Sequence, residues 1–548
     1  MFQKNDKIEL VIEDLSIDGE GIGKADGFTF FVKDTVPGDR ITATVMKLKK
    51  TYGYAKLQEI KQASEDRVPA PCPVAKQCGG CVLQEMSYPA QLRFKQNLVR
   101  NALLRIAGFS EEQVNLILRP IIGMEETAPF RYRNKALFPV GYTSGQDNQD
   151  RLTAGFYAAR THSLIPVEDC LLGIEENRII VEKILAWMKA EENEPYDEES
   201  GEGCIRHIMI RKGFRTGEIL VCLVINRPIQ GGEALIETLS KVPGLVGISL
   251  NFNQKKTNVI FGDRTFSFWG KPSVLDKIGD VKFEISTQSF FQVNPVQTEK
   301  LYQKVLEYAA LTGKETVWDL FCGIGTISLF LAKCAKKVYG VEVVPQAVED
   351  AKKNASINGI KNAVFYAGKA EEKYLPEKPD VIVVDPPRKG CELKLLHTIC
   401  ENALKRIVYV SCDPATLARD LEYLCENGYR LEEATPIDMF PMTRHVETCV
   451  LLSHQQIDKY KTVDYTPDGS YMKNVNRHAT YKEINEYVED KYGFKLHSAY
   501  IAQVKREMGI EMGENYNLSK SDDYEPRQVT PEKRAAIIDA LKHFNMIE

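Results

Sequence analysis

Over residues 1–62 apolar and polar positions alternate with the two-residue period of a half-buried strand, at Ile8–Ile12, Phe28–Val32 and Ile41–Val45. Turn pairs separate these runs: Asp18-Gly19, Asp26-Gly27 and Pro37-Gly38. The pattern predicts a small antiparallel β-barrel. From residue 82 the period lengthens, and Gln91–Arg105 reads as a helix of mixed charge. Strand-like runs return at His207–Arg211, Ile219–Ile225 and Val246–Phe252, after an acidic loop over 190–203. With residues 120–189 they predict a central α+β domain within 63–285.

A third pattern fills 286–457. Asn294 and Pro295 suit the cap and first position of a helix carrying Leu301, Val305, Leu306 and Ala309 on one face, stopped by Gly313. Short apolar runs then alternate with helical stretches. Strands are expected at Val317–Asp319, Lys337–Glu342, Val381–Asp385 and Arg406–Ser411, with a helix after Cys412 at Ala415–Cys425. That alternation predicts a parallel α/β sheet of Rossmann-like type, closed by a hairpin near 432–436 and 448–453. Residues 458–548 read as a small helical extension of open role. Thr480 and Glu483 form a capping box, and Thr530-Pro531 opens a helix over Ala535–Leu541.

Composition narrows the class. The chain has 548 residues, 43% hydrophobic and 27% charged, as in a multidomain globular protein. No apolar run approaches the roughly 20 residues needed to span a bilayer. The polar N-terminus carries no export signal, so the expectation is a cytoplasmic monomer with thirteen reduced or metal-bound cysteines. Net charge is only −5, so a nucleic-acid partner needs a local basic face. Lys47, Lys49 and Lys50 with Tyr52 and Tyr54 offer one candidate, and the run Pro129–Lys135 (P-F-R-Y-R-N-K) another.

The candidate chemistry lies at the strand tips. Val317–Thr326 reads V-W-D-L-F-C-G-I-G-T, a strand, a glycine turn and a helix start. Gly323 and Gly325 permit close approach of a ligand, while Asp319 suits a cationic one such as S-adenosylmethionine. Glu342 ends the next strand, where an acid can bind ribose hydroxyls. Asp385-Pro386-Pro387-Arg388 and Cys412-Asp413-Pro414 end two more. Gln292 stands where it could meet the amino-acid part of the cofactor. C5 of uracil is too weak a nucleophile to take a sulfonium methyl unaided. A thiolate added at C6 makes C5 electron-rich, and a base must then remove the C5 proton. Cys412 is the candidate nucleophile, with the positive end of the following helix expected to favour its thiolate. Glu447 is the candidate base. Without Cys412, the Asp-Pro-Pro motif would point to methylation of an amino group or ring nitrogen. A non-enzymatic RNA-binding or ribosome-assembly factor is the third reading. Cys72, Cys78 and Cys81, spaced C-x5-C-x2-C, with Cys170 as a fourth ligand, suit zinc or a 4Fe-4S cluster.

Two resemblances follow. Gly19–Lys24 (G-E-G-I-G-K) and Val36–Asp39 (V-P-G-D) resemble a TRAM domain, an RNA-binding barrel. The motifs D-L-F-C-G-x-G-T, D-P-P-R, S-C-D-P and H-V-E-T, in this order, resemble the RNA uracil-5-methyltransferases. The barrel and the cysteine spacing are similar to the branch that acts on 23S ribosomal RNA, and the similarity runs from about residue 5 to 455. It implies a 4Fe-4S cluster on Cys72, Cys78, Cys81 and Cys170. It implies S-adenosylmethionine contacts at Gln292, Phe321, Glu342 and Asp385, with Cys412 as nucleophile and Glu447 as proton acceptor.

Overall fold

The computed structural model describes residues 2–125, 129–144, 150–158, 161–372, 375–402, 404–454, 481–496, 498–508, 529–544 and 546–547. The chain divides into two compact units, Met1–Gln456 and Ile457–Glu548.

The first unit begins with the barrel. Its strands are Lys7–Leu15, Gly21–Ala25, Phe28–Val32, Arg40–Leu48 and Tyr52–Gln62, closed in the order first, second, third, fifth, fourth. Ile8, Leu10, Ile12, Phe30, Val32, Ile41 and Val45 fill it. It is not wholly antiparallel: the third and fifth strands run parallel, Thr29 opposite Tyr52. That pairing closes the barrel, since the fourth strand is bonded to the first and fifth.

A second sheet of seven strands follows. It runs in the order Arg264–Gly270, Leu245–Phe252, Ile219–Ile225, Ile205–Lys212, Lys135–Ser144, Asp150–Tyr157 and Leu164–Pro166. Helices Glu176–Ala190 and Gly232–Leu239 cover one face through Ile180, Ile184, Leu235 and Leu239. Helices Tyr88–Arg105 and Glu111–Ile117 pack elsewhere. Their Val99, Leu103, Val114 and Ile117 join Leu417 and Leu421 in the core of the next sheet. The segment 190–203 is irregular, with a turn pinned by Asp197 and Ser200.

The third sheet is the α/β layer. Five parallel strands, Ala363–Ala367, Lys337–Glu342, Thr316–Leu320, Val381–Val384 and Arg406–Ser411, lie in that order. The hairpin Tyr429–Ile437 and Glu447–His454 adds two antiparallel strands at the far edge. Strand order reverses between Thr316–Leu320 and Val381–Val384, the crevice where such sheets bind ligands. The leading helix is Pro295–Ala309, capped by the Asn294 side chain on the Gln297 N–H as expected. Among the described residues no helix is long and apolar enough to cross a membrane.

The second unit contains helices Tyr481–Tyr492, Ser498–Glu507 and Pro531–His543 around Ile484, Val488, Ile501, Val504, Ile537 and Leu541. The expected capping residue Thr480 lies outside the described residues.

Candidate active site and cysteine cavity

At the carboxyl edge of the α/β sheet a cavity of about 830 Å³ opens. Its wall includes Gln292, Phe321, Glu342, Asp385, Arg388, Cys412 and Glu447, which the topology brings together from six separate segments. The glycine turn takes left-handed backbone at Phe321 (φ 72°), Gly323 (φ 55°) and Gly325 (φ 83°). A Cβ on Gly323 would meet nothing within 4 Å, so that turn leaves open space for a ligand. A Cβ on Gly325 would stand 3.1 Å from the Phe365 ring and 3.2 Å from Ala351, so this glycine serves helix packing. Glu342 is fixed by two backbone donors, Gly323 N–H at 3.1 Å and Val344 N–H at 2.9 Å.

Asp319 departs from the expectation. It is fully buried, accepts from the Ser328 hydroxyl, and does not line the cavity. Its other carboxylate oxygen has no partner. Burial pushes its pKa up to about 7. The carboxylates lining the cavity include those of Glu342, Asp385 and Glu447, with Glu371 and Glu392 also on its wall. Burial raises Asp385 to about 7. Glu447 opens the last strand, is 3% exposed, and has one oxygen without a partner. Burial first, and Asp385 next, raise it to about 8, against the pull of Arg388. Acids held protonated by one another and by apolar walls are a setting that an incoming cation relieves.

The thiol of Cys412 also departs from the expectation. Burial, then Glu447 and Asp385, push it up to about 12, with Arg388 opposing. The helix Pro414–Glu426 does begin just after it, but Asp413 caps that helix. The Asp413 carboxylate accepts from Ala415 N–H at 3.0 Å and Thr416 N–H at 2.9 Å, which cancels the positive end that was to favour a thiolate.

Several lining residues were not singled out from sequence: Phe290, Tyr302, Lys369, Phe440 and His445. His445 lies inside the H-V-E-T motif, and Phe290 is next but one to Gln292, so motif neighbours held the signal. Phe290 is 70% exposed at the rim.

Cys72, Cys78, Cys81 and Cys170 line one small cavity walled by Phe156, Val167, Leu171 and Leu172. Burial raises Cys81 to about 12, with Cys170, Cys78 and Cys72 adding to the shift. Among the described residues no three His, Cys, Asp or Glu side chains meet closely enough to grip a single metal ion.

The family described as tRNA (Uracil-5-)-methyltransferase matches residues 377–455, a methyltransferase small domain 298–408, and a TRAM domain 2–57. An uncharacterized RNA methyltransferase of Clostridium acetobutylicum is 49% identical, over 83% of this chain and 98% of its own. One from Halalkalibacterium halodurans is 49% identical, over 82% of this chain and 97% of its own. Among solved structures, the Pyrococcus abyssi tRNA (uracil-54, C5)-methyltransferase in complex with S-adenosyl-L-homocysteine superposes with a TM-score of 0.66. It is 27% identical and covers 81% of this chain and 100% of that one.

Proposed function

Since this chain belongs to the RNA uracil-5-methyltransferase family, we propose that it methylates C5 of a uridine in 23S ribosomal RNA. The observation that carries this reading is the meeting of Cys412, Glu447 and Asp385 in one cavity beside the glycine turn. S-adenosylmethionine fits that cavity: its positive charge suits the raised Asp385 and Glu447 carboxyls, and Gly323 leaves room for it. Gln292, Phe321, Glu342 and Asp385 would hold it, and it would supply an electrophilic methyl group to C5 of the uracil.

Cys412 acts first. Its thiol gives up its proton to solvent as substrate enters, and the sulfur bonds to C6 of the ring. The displaced π electrons move toward O4, and Arg388 in the same cavity would balance that charge. After C5 gains its methyl group, the Glu447 carboxylate removes the C5 proton. The electrons of that C–H bond rebuild the C5–C6 double bond and expel the Cys412 sulfur.

The four clustered cysteines are proposed as ligands of a 4Fe-4S cluster. A single zinc draws four sulfurs to about 2.3 Å from one point. A cubane gives each cysteine its own iron, which suits four thiols that share one cavity. Such a cluster would tie Cys170 to the loop 72–81, a structural role.

Transfer RNA is the second reading, favoured by the Pyrococcus abyssi similarity. Mapping of 5-methyluridine in ribosomal and transfer RNA, from cells lacking the protein and cells with it restored, separates the two. Loss and return of the mark in 23S RNA is the expected result. Cys412→Ala is expected to abolish methylation and to form no covalent adduct with 5-fluorouridine RNA. A variant that still methylates would overturn the thiol mechanism.

A further inference from the structure

The central seven-stranded sheet buries Phe138, Val140, Ile208 and Ile210 against its helices. Alternate residues on the same strands point to the opposite face. There Lys135 and Arg211 stand directly opposite one another across neighbouring strands, with His207 two pairs further along Arg211's strand. Arg211 is 1% exposed. Its Nη2 donates to the Ser289 carbonyl at 2.7 Å, while Nε and Nη1 have no partner. His207 Nδ1 and Asn134 Oδ1 are likewise buried without partners. The Lys135 ammonium, half-buried, lies 5.5 Å over the Phe261 ring. Arg206 donates to the carbonyls of Asn253 and Lys255, each at 2.9 Å, and stacks on Tyr196.

No carboxylate balances this group among the described residues. Burial first, and Arg211 next, lower Lys135 to about 8. Burial first, and Arg206 next, lower His207 to about 4. Burial alone lowers Arg211 to about 10. Cations withdrawn from water without a counter-charge are costly, and an anion arriving from outside removes that cost. The location says which anion. Arg211 holds the Ser289 carbonyl and Asn134 Nδ2 holds the Gln292 carbonyl at 2.9 Å, so the cations support the segment whose Phe290, Gln292 and Val293 wall the candidate active site. Arg133, next to Asn134, is close enough to act on the charge of His445 in that cavity.

We propose that Lys135, backed by the buried charge of Arg211, forms a binding site for a backbone phosphate of the substrate RNA, beside the uridine that enters the cavity. This rests on the reading of the protein as an RNA uracil methyltransferase. A phosphodiester at the half-buried Lys135 ammonium supplies the missing negative charge. Held there, the strand is anchored next to the reacting base, and the contact is blind to sequence.

The test measures binding of fluorescein-labelled oligouridine RNA to the full-length protein over a salt series, for wild type, Lys135→Gln and Lys135→Arg. One phosphate contact on a single strand contributes about 0.7 to the slope of log affinity against log salt. Lys135→Gln is expected to lower the slope by about that much and to weaken low-salt binding about tenfold, with Lys135→Arg restoring both. S-adenosylmethionine affinity and kcat at saturating RNA stay at wild-type values, while KM for RNA rises. Unchanged slope and affinity in Lys135→Gln overturn the site. So does a loss of affinity at unchanged slope, which assigns Lys135 to packing. Wild-type protein that binds oligouridine but methylates no RNA counts against the catalytic reading instead, so the two failures are distinct.

Discussion

Glu447 joins two requirements in one carboxyl group. As a base it must be ionised, yet its surroundings raise it to about 8. In the ligand-free protein the folded state therefore binds this proton more tightly than the unfolded chain does. The stability it contributes is fully present below pH 4.5, the ordinary value for a free Glu, and is lost as pH rises through 8. Glu447→Gln removes that loss. Its ligand-free unfolding temperature is expected to exceed the wild-type value above pH 8, by thermal unfolding across pH. Activity moves the other way. The variant is expected to turn over about 10²–10⁴-fold more slowly and to accumulate methylated RNA joined to Cys412, visible on denaturing gels. Wild-type kcat/KM should rise with pH toward 8 as the base ionises. Cys412 and Glu447 were both legible as residues, since each ends or begins a strand within a short motif. The protonation of Cys412 was not. It depends first on burial, then on Glu447 and Asp385 standing nearby, Asp385 lying 27 residues before it, while Asp413 caps the helix that was to favour the thiolate.

Among the elements, the loop between the last two strands was legible only as a connection. Its fixing depends on the helix Tyr88–Arg105, hundreds of residues earlier. Lys95 Nζ bonds Asp438 at 2.5 Å and the Phe440 carbonyl at 2.9 Å, with both charged side chains 0% exposed. Tyr88 donates to the other Asp438 oxygen at 2.9 Å. Gln91 accepts from Met442 N–H, and Tyr132 donates to the Pro441 carbonyl. These contacts hold the loop that places Phe440 and His445 in the cavity just before Glu447. Lys95→Met strands a buried carboxylate and should destabilise the fold by about 3–5 kcal/mol, read from urea unfolding. Adding Asp438→Asn should recover part of that loss, since the uncompensated charge is then gone. A double-variant loss equal to the sum of the two single-variant losses would show the pair to be independent of one another.

For the whole molecule, the relatives cover nearly all of their own length while matching 82–83% of this chain. The compact unit Met1–Gln456 holds the barrel, both large sheets, the cysteine cavity and every proposed reacting group. The unit Ile457–Glu548 has a hydrophobic core of its own. Ending the chain after Gln456 is therefore expected to leave S-adenosylmethionine affinity and methylation rate within about twofold, because a domain with its own core folds by itself. A large loss in calorimetric binding would assign the second unit a part in the reaction.

The amino-acid sequence alone determined whatever depends on neighbours along the chain. Strand period, glycine turn, Asn294 cap and cysteine spacing are local, and they place the reacting groups at strand tips. The three-dimensional structure decided what depends on burial and on charges distant in sequence. It turned Asp319 inward to Ser328, raised the Cys412 thiol, bound Lys95 to Asp438 and left two Arg211 N–H groups without a partner among the described residues. Free energies of ionisation follow the local dielectric and the nearest charges, and folding alone sets both.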